Sequence, residues 1–366
     1  MIRGFAFGDL AILVESANRD HQTWLAEVLE PQFEPRTTGS HTWRISVVED
    51  HRRYLAALAA GPDAGTLDAF ALDAGPLSLP RWRGADTRLF DVKRQIFYEI
   101  AARSLAVTIL SAPGNGQVRT ALMTVARELA TNHAQRAGGL LLHASAFAAG
   151  GRAVVVAGPK RAGKTTLLVH ALLTGTLQYM ANDRVMVLPG APTRSRGVPT
   201  VVRLRPGTLD LFPALADRLR GTAYDYRLTL KEAAAGSPAA ESGARRLSAA
   251  QFCHVLGTTA RAEGDVAAVI FPRITGEADA FSLHRLTPAE VGARLETTVF
   301  GARSGRWSTD AFTSAEEPPP PDRAAIIRRC RALADGVPGF ECRLGSTAYE
   351  NPHDTADLLV NAGSSR

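Results

Sequence analysis

Residues Gly158 to Thr165 read Gly-Pro-Lys-Arg-Ala-Gly-Lys-Thr, and these types at this spacing are typical of a phosphate-binding loop. The glycines let the backbone turn so tightly that successive N–H groups point into one concavity, which suits an anion. Lys164 can reach the β and γ phosphates of a nucleotide, and the Thr165 hydroxyl can bind Mg²⁺. The pattern predicts a nucleotide site formed by Gly158, Pro159, Lys160, Arg161, Ala162, Gly163, Lys164, Thr165 and Thr166.

A second metal-binding acid is expected near such a loop. The apolar stretch DVAAVIFPRI does not supply it, because its end is Pro272-Arg273. Asp183 follows Thr165 by 18 residues, within QYMANDRVMVL, and is the better candidate to hold Mg²⁺ directly or through water. The alternative for Asp183 is a turn-forming Asn-Asp pair.

The chain around the loop predicts the elements that position these residues. A buried strand, AVVVA, precedes the loop and a helix, TTLLVHALL, follows it. Two strands are predicted in GLLLHASAFAAGGRAVVVAG, and one each in LQYMANDRVMVL, RGVPTVVRL and DVAAVIFPRI. Residues 233–250 lack apolar periodicity and are predicted to be a mobile loop. Arg245 and Arg246 within it are either solvated or close over a phosphate.

The first part of the chain has a different pattern of predicted elements. Strands are predicted in DLAILVES, HTWRISVVED, LDAFALDAG and LAVTILSAP, and a short helix in HRRYLAALAAG. A longer helix, in GQVRTALMTVARELATNHAQRAGG, ends at Gly138-Gly139. The predicted tail is a Pro-rich spacer, SAEEPPPP, then a helix in DRAAIIRRCRALA, a strand in GFECRLG and a helix in HDTADLLVN. We therefore expect an α+β domain over residues 1–137 and a nucleotide-binding domain over residues 138–366.

Composition narrows the function classes. The 366 residues are 45% hydrophobic and 21% charged, which is ordinary for a globular protein. The net charge of +6 comes mostly from scattered Arg, so nucleic-acid binding is not predicted. Three distant cysteines do not indicate a disulfide framework or a cysteine-ligated zinc site. Because no signal peptide or membrane-spanning stretch is recognised, we expect a cytoplasmic protein without membrane contact.

Four features occur in one order: His143 in a strand before the loop, the loop itself, a helix ending at Gly175, and the pair Asn182-Asp183 before a strand. In this order they resemble the catalytic domain of HPr kinase/phosphorylase and its relatives. The resemblance is clear over residues 138–205 and weak as far as about residue 345.

This resemblance implies an α/β fold in which a phosphoenolpyruvate-carboxykinase-like P-loop nucleotide domain follows a smaller α+β domain. It implies ATP and Mg²⁺, with phosphoryl transfer to a hydroxyl, often a Ser of a protein. Relatives are often oligomeric, so a homo-oligomer is compatible with it. It also implies metal contacts from Thr165 and Asp183 and catalytic roles for Asp183, Lys164, His143 and Arg196, the last contacting phosphate or a neighbouring subunit. The alternative for His143 is a core histidine bonded to the backbone.

Two departures from the family pattern bear on this expectation. The first acid of the pair is Asn182 here, and an amide cannot accept a proton from a hydroxyl. The family's E-x-R-G sequence appears as Arg194-Ser195-Arg196-Gly197, without the Glu. HPr as substrate, and the reverse phosphorolysis, are therefore not carried over.

Two functions from different classes follow. The first is a kinase that transfers the γ-phosphoryl group to a protein or peptide Ser/Thr, or to a small alcohol. The second is an ATP-binding protein that gates a partner with little or no transfer, which Asn182 favours. A carboxykinase acting on a small carboxylate is weaker, because the chain is short and a dedicated set of metal-ligating His, Lys and Asp is not recognised.

Overall fold

A computed structural model describes residues 1–39, 41–63, 65–71, 75–82, 87–236, 243–275, 281–300 and 322–345. These residues form a mixed α/β fold, as the sequence predicts, with helices and three β-sheets. They divide into two compact units. The first contains residues 1–29 and 33–137, and the second contains residues 30–32, 138–300 and 322–345 apart from the gaps above.

The first unit is built on nine strands: β1 (Ile2–Phe7), β2 (Leu10–Glu15), β3 (Glu34–Pro35), β4 (His41–Glu49), β5 (Thr66–Ala71), β6 (Gly75–Trp82), β7 (Thr87–Asp91), β8 (Ile96–Ala101) and β9 (Ala106–Ser111). They form one sheet in the order β3-β1-β2-β4-β9-β8-β7-β6-β5. The sheet is mixed, because β4 runs parallel to both β2 and β9 while the other pairs are antiparallel.

Three α-helices accompany this sheet: α1 (Arg19–Leu29), α2 (His51–Ala59) and α3 (Val118–Arg136). Helix α1 packs on α3 and buries Trp24 and Leu25 completely. Helix α2 turns Tyr54 towards an aromatic cluster on the sheet that includes Trp82 and Phe97. Burial of these large apolar side chains stabilises the unit, at about 25 cal/mol per Å² of apolar surface.

The second unit has a sheet of nine strands: β10 (Leu140–Leu142), β11 (Ala144–Ala149), β12 (Arg152–Ala157), β13 (Gln178–Ala181), β14 (Val185–Leu188), β15 (Arg194–Gly197), β18 (Glu263–Ile274), β19 (Ser282–Leu286) and β20 (Gly339–Leu344). Seven follow the order β10-β14-β15-β18-β12-β11-β13, and β20 lies between β18 and β19. Two further strands, β16 (Val202–Leu204) and β17 (Arg245–Leu247), pair separately. Because β12, β18 and β20 are parallel, their carboxyl ends lie at one edge.

The helices of the second unit are α4 (Lys164–Leu172), α5 (Pro206–Leu209), α6 (Pro213–Leu219), α7 (Leu230–Ala235), α8 (Ala249–Leu256), α9 (Pro288–Glu296) and α10 (Arg323–Gly336). Helix α4 packs on β11 and β12. Its residues Leu167, Leu168 and Leu172 are fully buried with Phe147 and Phe252 in one apolar cluster. The start of α4 is therefore held firmly at the end of β12.

Most of the predicted elements are confirmed, but three apolar stretches are each divided. The first strand of GLLLHASAFAAGG breaks at His143, between β10 and β11. The single strand predicted in LQYMANDRVMVL is wrong, because the chain turns at residues 182–184 between β13 and β14. The stretch RGVPTVVRL forms β15 and β16 rather than one strand. Two of these breaks contain partly exposed side chains, His143 in the first and Asp183 in the second.

The mobile loop predicted over residues 233–250 is also wrong in its extent. Helix α7 continues to Ala235, β17 begins at Arg245, and α8 begins at Ala249. Ser248 caps α8 by accepting from the Gln251 N–H, while the Gln251 side chain accepts from the Ser248 N–H. Arg245 donates to Thr222. Residues 237–242, the Pro-rich spacer and the C-terminal predicted helix lie outside the described residues.

All three cysteines, Cys253, Cys330 and Cys342, are free and buried. Burial raises the pKa of each thiol to about 12. No disulfide joins any two of them in the structure. Among the described helices, none combines the length and the apolar character needed to cross a membrane.

Candidate active site

The predicted phosphate loop joins β12 to α4 at the carboxyl ends of the parallel strands. Gly163 ends the loop with a φ of 99°, in the left-handed region that favours glycine. A Cβ at Gly163 would lie 2.7 Å from Ile274 Cγ1, so the position is also too crowded for a side chain. Helix α4 begins directly after it, which leaves the N–H groups of its first turn facing the loop.

Lys164 is folded into this loop. Its Nζ donates to the carbonyl oxygens of Gly158 and Pro159, at 2.8 and 3.0 Å. Burial lowers the pKa of Lys164 to about 8, although the nearby Asp183 carboxylate raises it. The loop therefore keeps a cation inside its curve, where carbonyl groups hold it. Among the other loop residues, Lys160 and Arg161 are exposed and Thr166 is buried.

Asn182 joins three segments of the chain at the end of β13. Its Oδ1 accepts hydrogen bonds from Ser145 Oγ on β11, at 3.3 Å, and from Thr165 Oγ1 on α4, at 3.1 Å. Its backbone carbonyl accepts from the Thr200 hydroxyl. Asn182 is 4% exposed, so this network is held rigidly beside the loop. Amide and hydroxyl oxygens are hard ligands of the kind Mg²⁺ takes.

Asp183 occupies the turn itself, with a φ of 75°. A non-glycine residue in this conformation costs about 1 kcal/mol or more, so the surrounding structure must hold it there. His143 Nε2 lies 2.9 Å from Asp183 Oδ1. The Asp183 side chain is 42% exposed, and that of His143 28%, so both are open to solvent on one side. The carboxylate is thus fixed by a histidine and still accessible.

The pKa of Asp183 reflects opposing effects. Burial raises it, while the hydrogen bond from His143 and the charges of Arg184, His143 and Lys164 lower it, and the net shift is downwards. Asp183 is therefore ionised at neutral pH. The Arg184 guanidinium lies 5.1 Å from the centre of the Phe300 ring, and the same ring packs on His143, 5.6 Å between centroids. Phe300 therefore lies between the two side chains that flank Asp183.

The structure brings Lys164, Thr165, Asp183 and His143 together, as their predicted roles require. Thr165 reaches its oxygen partner in Asn182 rather than in Asp183. Arg196 is 4% exposed and donates from Nε and Nη2 to Glu263 Oε2 on β18, at 3.0 and 2.7 Å. Glu263 also pairs with Arg194, so one carboxylate binds both arginines of β15. The role of Arg196 at a phosphate stays a prediction.

Sequence reasoning missed Asn182, Ser145 and Thr200 as members of the site. From sequence, Asn182 is considered chiefly as a missing acid, and Ser145 and Thr200 are not singled out as site residues. The contacts with Ser145 and Thr200 depend on strand pairing across 37 and 18 residues.

A cavity of about 420 Å³ opens beside the loop. Apolar groups of Phe271, Pro272 and Ile274 form part of its wall. Basic groups line it as well, from Arg161, Arg273 and Arg294. Glu341 also lines the cavity and its carboxylate accepts a hydrogen bond from Arg294 at 2.9 Å, so the lining carries both signs of charge, and the volume suits a small organic molecule.

No protein-family model matches the chain, and no curated protein has a significantly similar sequence. The function is therefore inferred from the site itself.

Proposed function

We propose that this chain is an ATP-dependent phosphotransferase of the HPr-kinase-like type, with a phosphoenolpyruvate-carboxykinase-like nucleotide fold in its second unit. The observation that carries the proposal is the arrangement at the end of β13: Asn182 bonded to Thr165 of a complete phosphate loop, and Asp183 beside it, held by His143. The turn conformation alone does not carry the proposal, because Asp is common in left-handed structural turns. The combination of a phosphate-loop sequence with a nearby ionised carboxylate supports phosphoryl transfer, which depends on positioning and charge.

The residues fit ATP and Mg²⁺. The chain turns sharply at Gly163, with a φ of 99°, and the buried Lys164 ammonium lies within the curve of the loop. Lys164 would bind the β and γ phosphates, and Thr165 with Asn182 would hold Mg²⁺ through hydroxyl and amide oxygens. Bound Mg·ATP supplies a phosphoryl group whose charge the metal partly neutralises.

Asp183 has the role of accepting the proton from the acceptor hydroxyl. Its lowered pKa keeps it ionised, and its exposure lets a hydroxyl approach. His143 acts as a positioning residue, because its ring bonds to Asp183 Oδ1. The Asn182 amide cannot accept a proton from the acceptor hydroxyl, but a single carboxylate is sufficient for this step. In the proposal Asp183 is that carboxylate. The acceptor is a Ser or Thr hydroxyl of a protein or peptide, or a small alcohol.

The proposal is tested by ADP formation with Mg·ATP, with and without proteins and peptides encoded beside this chain's gene. We expect turnover that rises with one acceptor, and a mass gain of one phosphate on it. Lys164→Ala should lower turnover by at least 100-fold with unchanged circular dichroism. Asp183→Asn should lower turnover comparably while Mg·ATP still binds. Unchanged turnover in Lys164→Ala would refute the assignment of the loop.

A nucleotide-gated binding protein is the second candidate, and the neutral side chain at Asn182 favours it. In that case Mg·ATP binds tightly, Asp183→Asn leaves the slow turnover as it was, and the nucleotide changes affinity for a partner instead. The two functions therefore differ in whether Asp183 matters after ATP is bound.

A further inference from the structure

The first unit contains a cluster of metal-ligating side chains. This cluster is not part of the candidate site at the phosphate loop, which lies in the second unit. Asp9 stands in the turn between β1 and β2, His41 is the first residue of β4, and His133 lies in the last turn of α3. One ligand atom from each lies within 4.8 Å of the others. We propose that Asp9, His41 and His133 form a binding site for a divalent transition-metal ion of the Zn²⁺ class.

The backbone fixes the positions of two of these residues. Phe7 pairs with Leu10, so the hairpin turn has only Gly8 and Asp9 at its tip. Gly8 has a φ of 65°, which a tight hairpin turn requires. Leu10 is the register partner of His41 in the parallel pair of β2 and β4, so His41 lies beside this tip. The carboxylate and one imidazole are brought together by strand pairing, and not by flexible loops.

His133 is the anchored member of the cluster. It is 9% exposed, on a helix whose other residues fill the core of the unit. Its Nε2 lies 2.9 Å from Asp9 Oδ1, and its ring lies 4.9 Å from the His41 ring, between centroids. Asp9 and His41 are exposed, so an ion can enter from solvent. The buried His133 side chain is therefore held in place. The exposed side chains of Asp9 and His41 can adjust around the ion while their backbone positions stay fixed.

The ligand chemistry selects the ion. Two imidazole nitrogens and one carboxylate oxygen are ligands that Zn²⁺ takes, at about 2.0–2.2 Å, with water in the remaining position. In a tetrahedral site ligand atoms lie about 3.3 Å apart, so the contact between His133 and Asp9 needs to open by only a few tenths of an ångström. Mg²⁺ prefers oxygen ligands. The two units would thus take different ions.

The test uses the tag-free full chain, stripped with a chelator. Co²⁺ is titrated and followed by its visible absorption, and Zn²⁺ is titrated by calorimetry in excess Mg²⁺. We expect one equivalent of either ion to bind. Asp9→Asn and His41→Gln, both at exposed positions, should each weaken binding at least tenfold. His51→Gln, which changes an exposed histidine at the start of α2, should leave affinity unchanged.

Circular dichroism of each variant checks that it is folded. Lys164→Ala should bind the transition ion as the wild type does, because the phosphate loop is not involved. The proposal is overturned if neither ion binds, or if Asp9→Asn and His41→Gln both keep full affinity. It is also overturned if His51→Gln or Lys164→Ala weakens metal binding as much as the two ligand variants do.

Discussion

Asn182 and Asp183 are neighbours in sequence whose side chains do different chemistry. The Asn182 amide oxygen faces the loop hydroxyl of Thr165, while the Asp183 carboxylate faces His143. Both residues follow the end of β13, and Asp183 takes a left-handed conformation there, so neither side chain is bound to the alternation of a strand. In our proposal one residue holds the metal and the other takes the proton.

Replacement of the amide by a carboxylate tests the role of Asn182. Asn182→Asp should lower the Mg²⁺ concentration that half-saturates nucleotide binding by several-fold, because a charged oxygen binds Mg²⁺ more strongly than a neutral one. The measurement is Mg²⁺-dependent binding of a fluorescent ATP analogue. Asn182→Leu, of similar size without the oxygen, is the matched control and should lose the Mg²⁺ dependence. An equal Mg²⁺ requirement in all three proteins would contradict the assignment.

The buried ammonium of Lys164 predicts a pH dependence. Burial lowers its pKa to about 8, so the cation that attracts phosphate is lost as the pH rises through that value. Affinity for Mg·ATP should fall about fivefold between pH 8 and pH 9 for a group of this pKa, and change little below pH 7. Titration of binding at several pH values measures this.

Lys164→Arg is the control for that profile, because arginine stays charged throughout the range. Its affinity should be flat from pH 7 to pH 9. A decline of the same size in both proteins would assign the pH effect to another group.

At the scale of elements, some buried apolar runs were predicted, while others, such as β1 and β8, were missed. The run AVVVA is β12, and the helix after it is α4. Helix α1 was missed, since its polar residues obscure an apolar face formed by Trp24, Leu25, Val28 and Leu29. The strand prediction ran through residues 182–184, whereas the alternative of a turn-forming Asn-Asp pair is confirmed, since β13 ends at Ala181 and Asp183 has a φ of 75°. The start of α8 carried a signal, Ser248 followed three residues later by Gln251.

That cap gives a prediction for α8. Ser248 is 2% exposed and its hydroxyl accepts from the Gln251 N–H at 3.1 Å. Ser248→Ala should lower the free energy of unfolding by about 1 kcal/mol, because an N–H at the buried helix start loses its acceptor. Denaturant unfolding measures the change. Thr23→Ala, which removes an exposed hydroxyl within α1, should stay within about 0.5 kcal/mol of the wild type.

For the molecule as a whole, the candidate site could be predicted only in part. The loop residues are contiguous, so Gly158 to Thr165 were readable as a group. The approach of His143 to Asp183 depends on how β10, β11, β13 and β14 pair, which a single sequence does not determine. Resemblance supplied His143 and Asp183 as candidates, but not the contact between them. The cluster of Asp9, His41 and His133 was missed for the same reason, since 92 residues separate its two histidines.

The two proposed ligand sites, in different units, predict two separate footprints in hydrogen exchange. A non-hydrolysable Mg·ATP analogue should slow exchange in the first turn of α4 and in the turn at residues 182–184. Zn²⁺ should slow it at the Gly8-Asp9 turn and the end of α3. Lys164→Ala should lose the first footprint alone, and His41→Gln the second alone. Protection at the α4 turn by Zn²⁺ alone would contradict separate sites.

The buried thiols have a practical consequence. A maleimide reacts with the thiolate form, and a pKa of about 12 leaves almost none of it at neutral pH for Cys253, Cys330 or Cys342. A fluorophore can therefore be attached to one introduced cysteine without first removing the native three. Arg161→Cys would place such a reporter on an exposed position of the phosphate loop, where arrival of a nucleotide can be followed by its emission in real time.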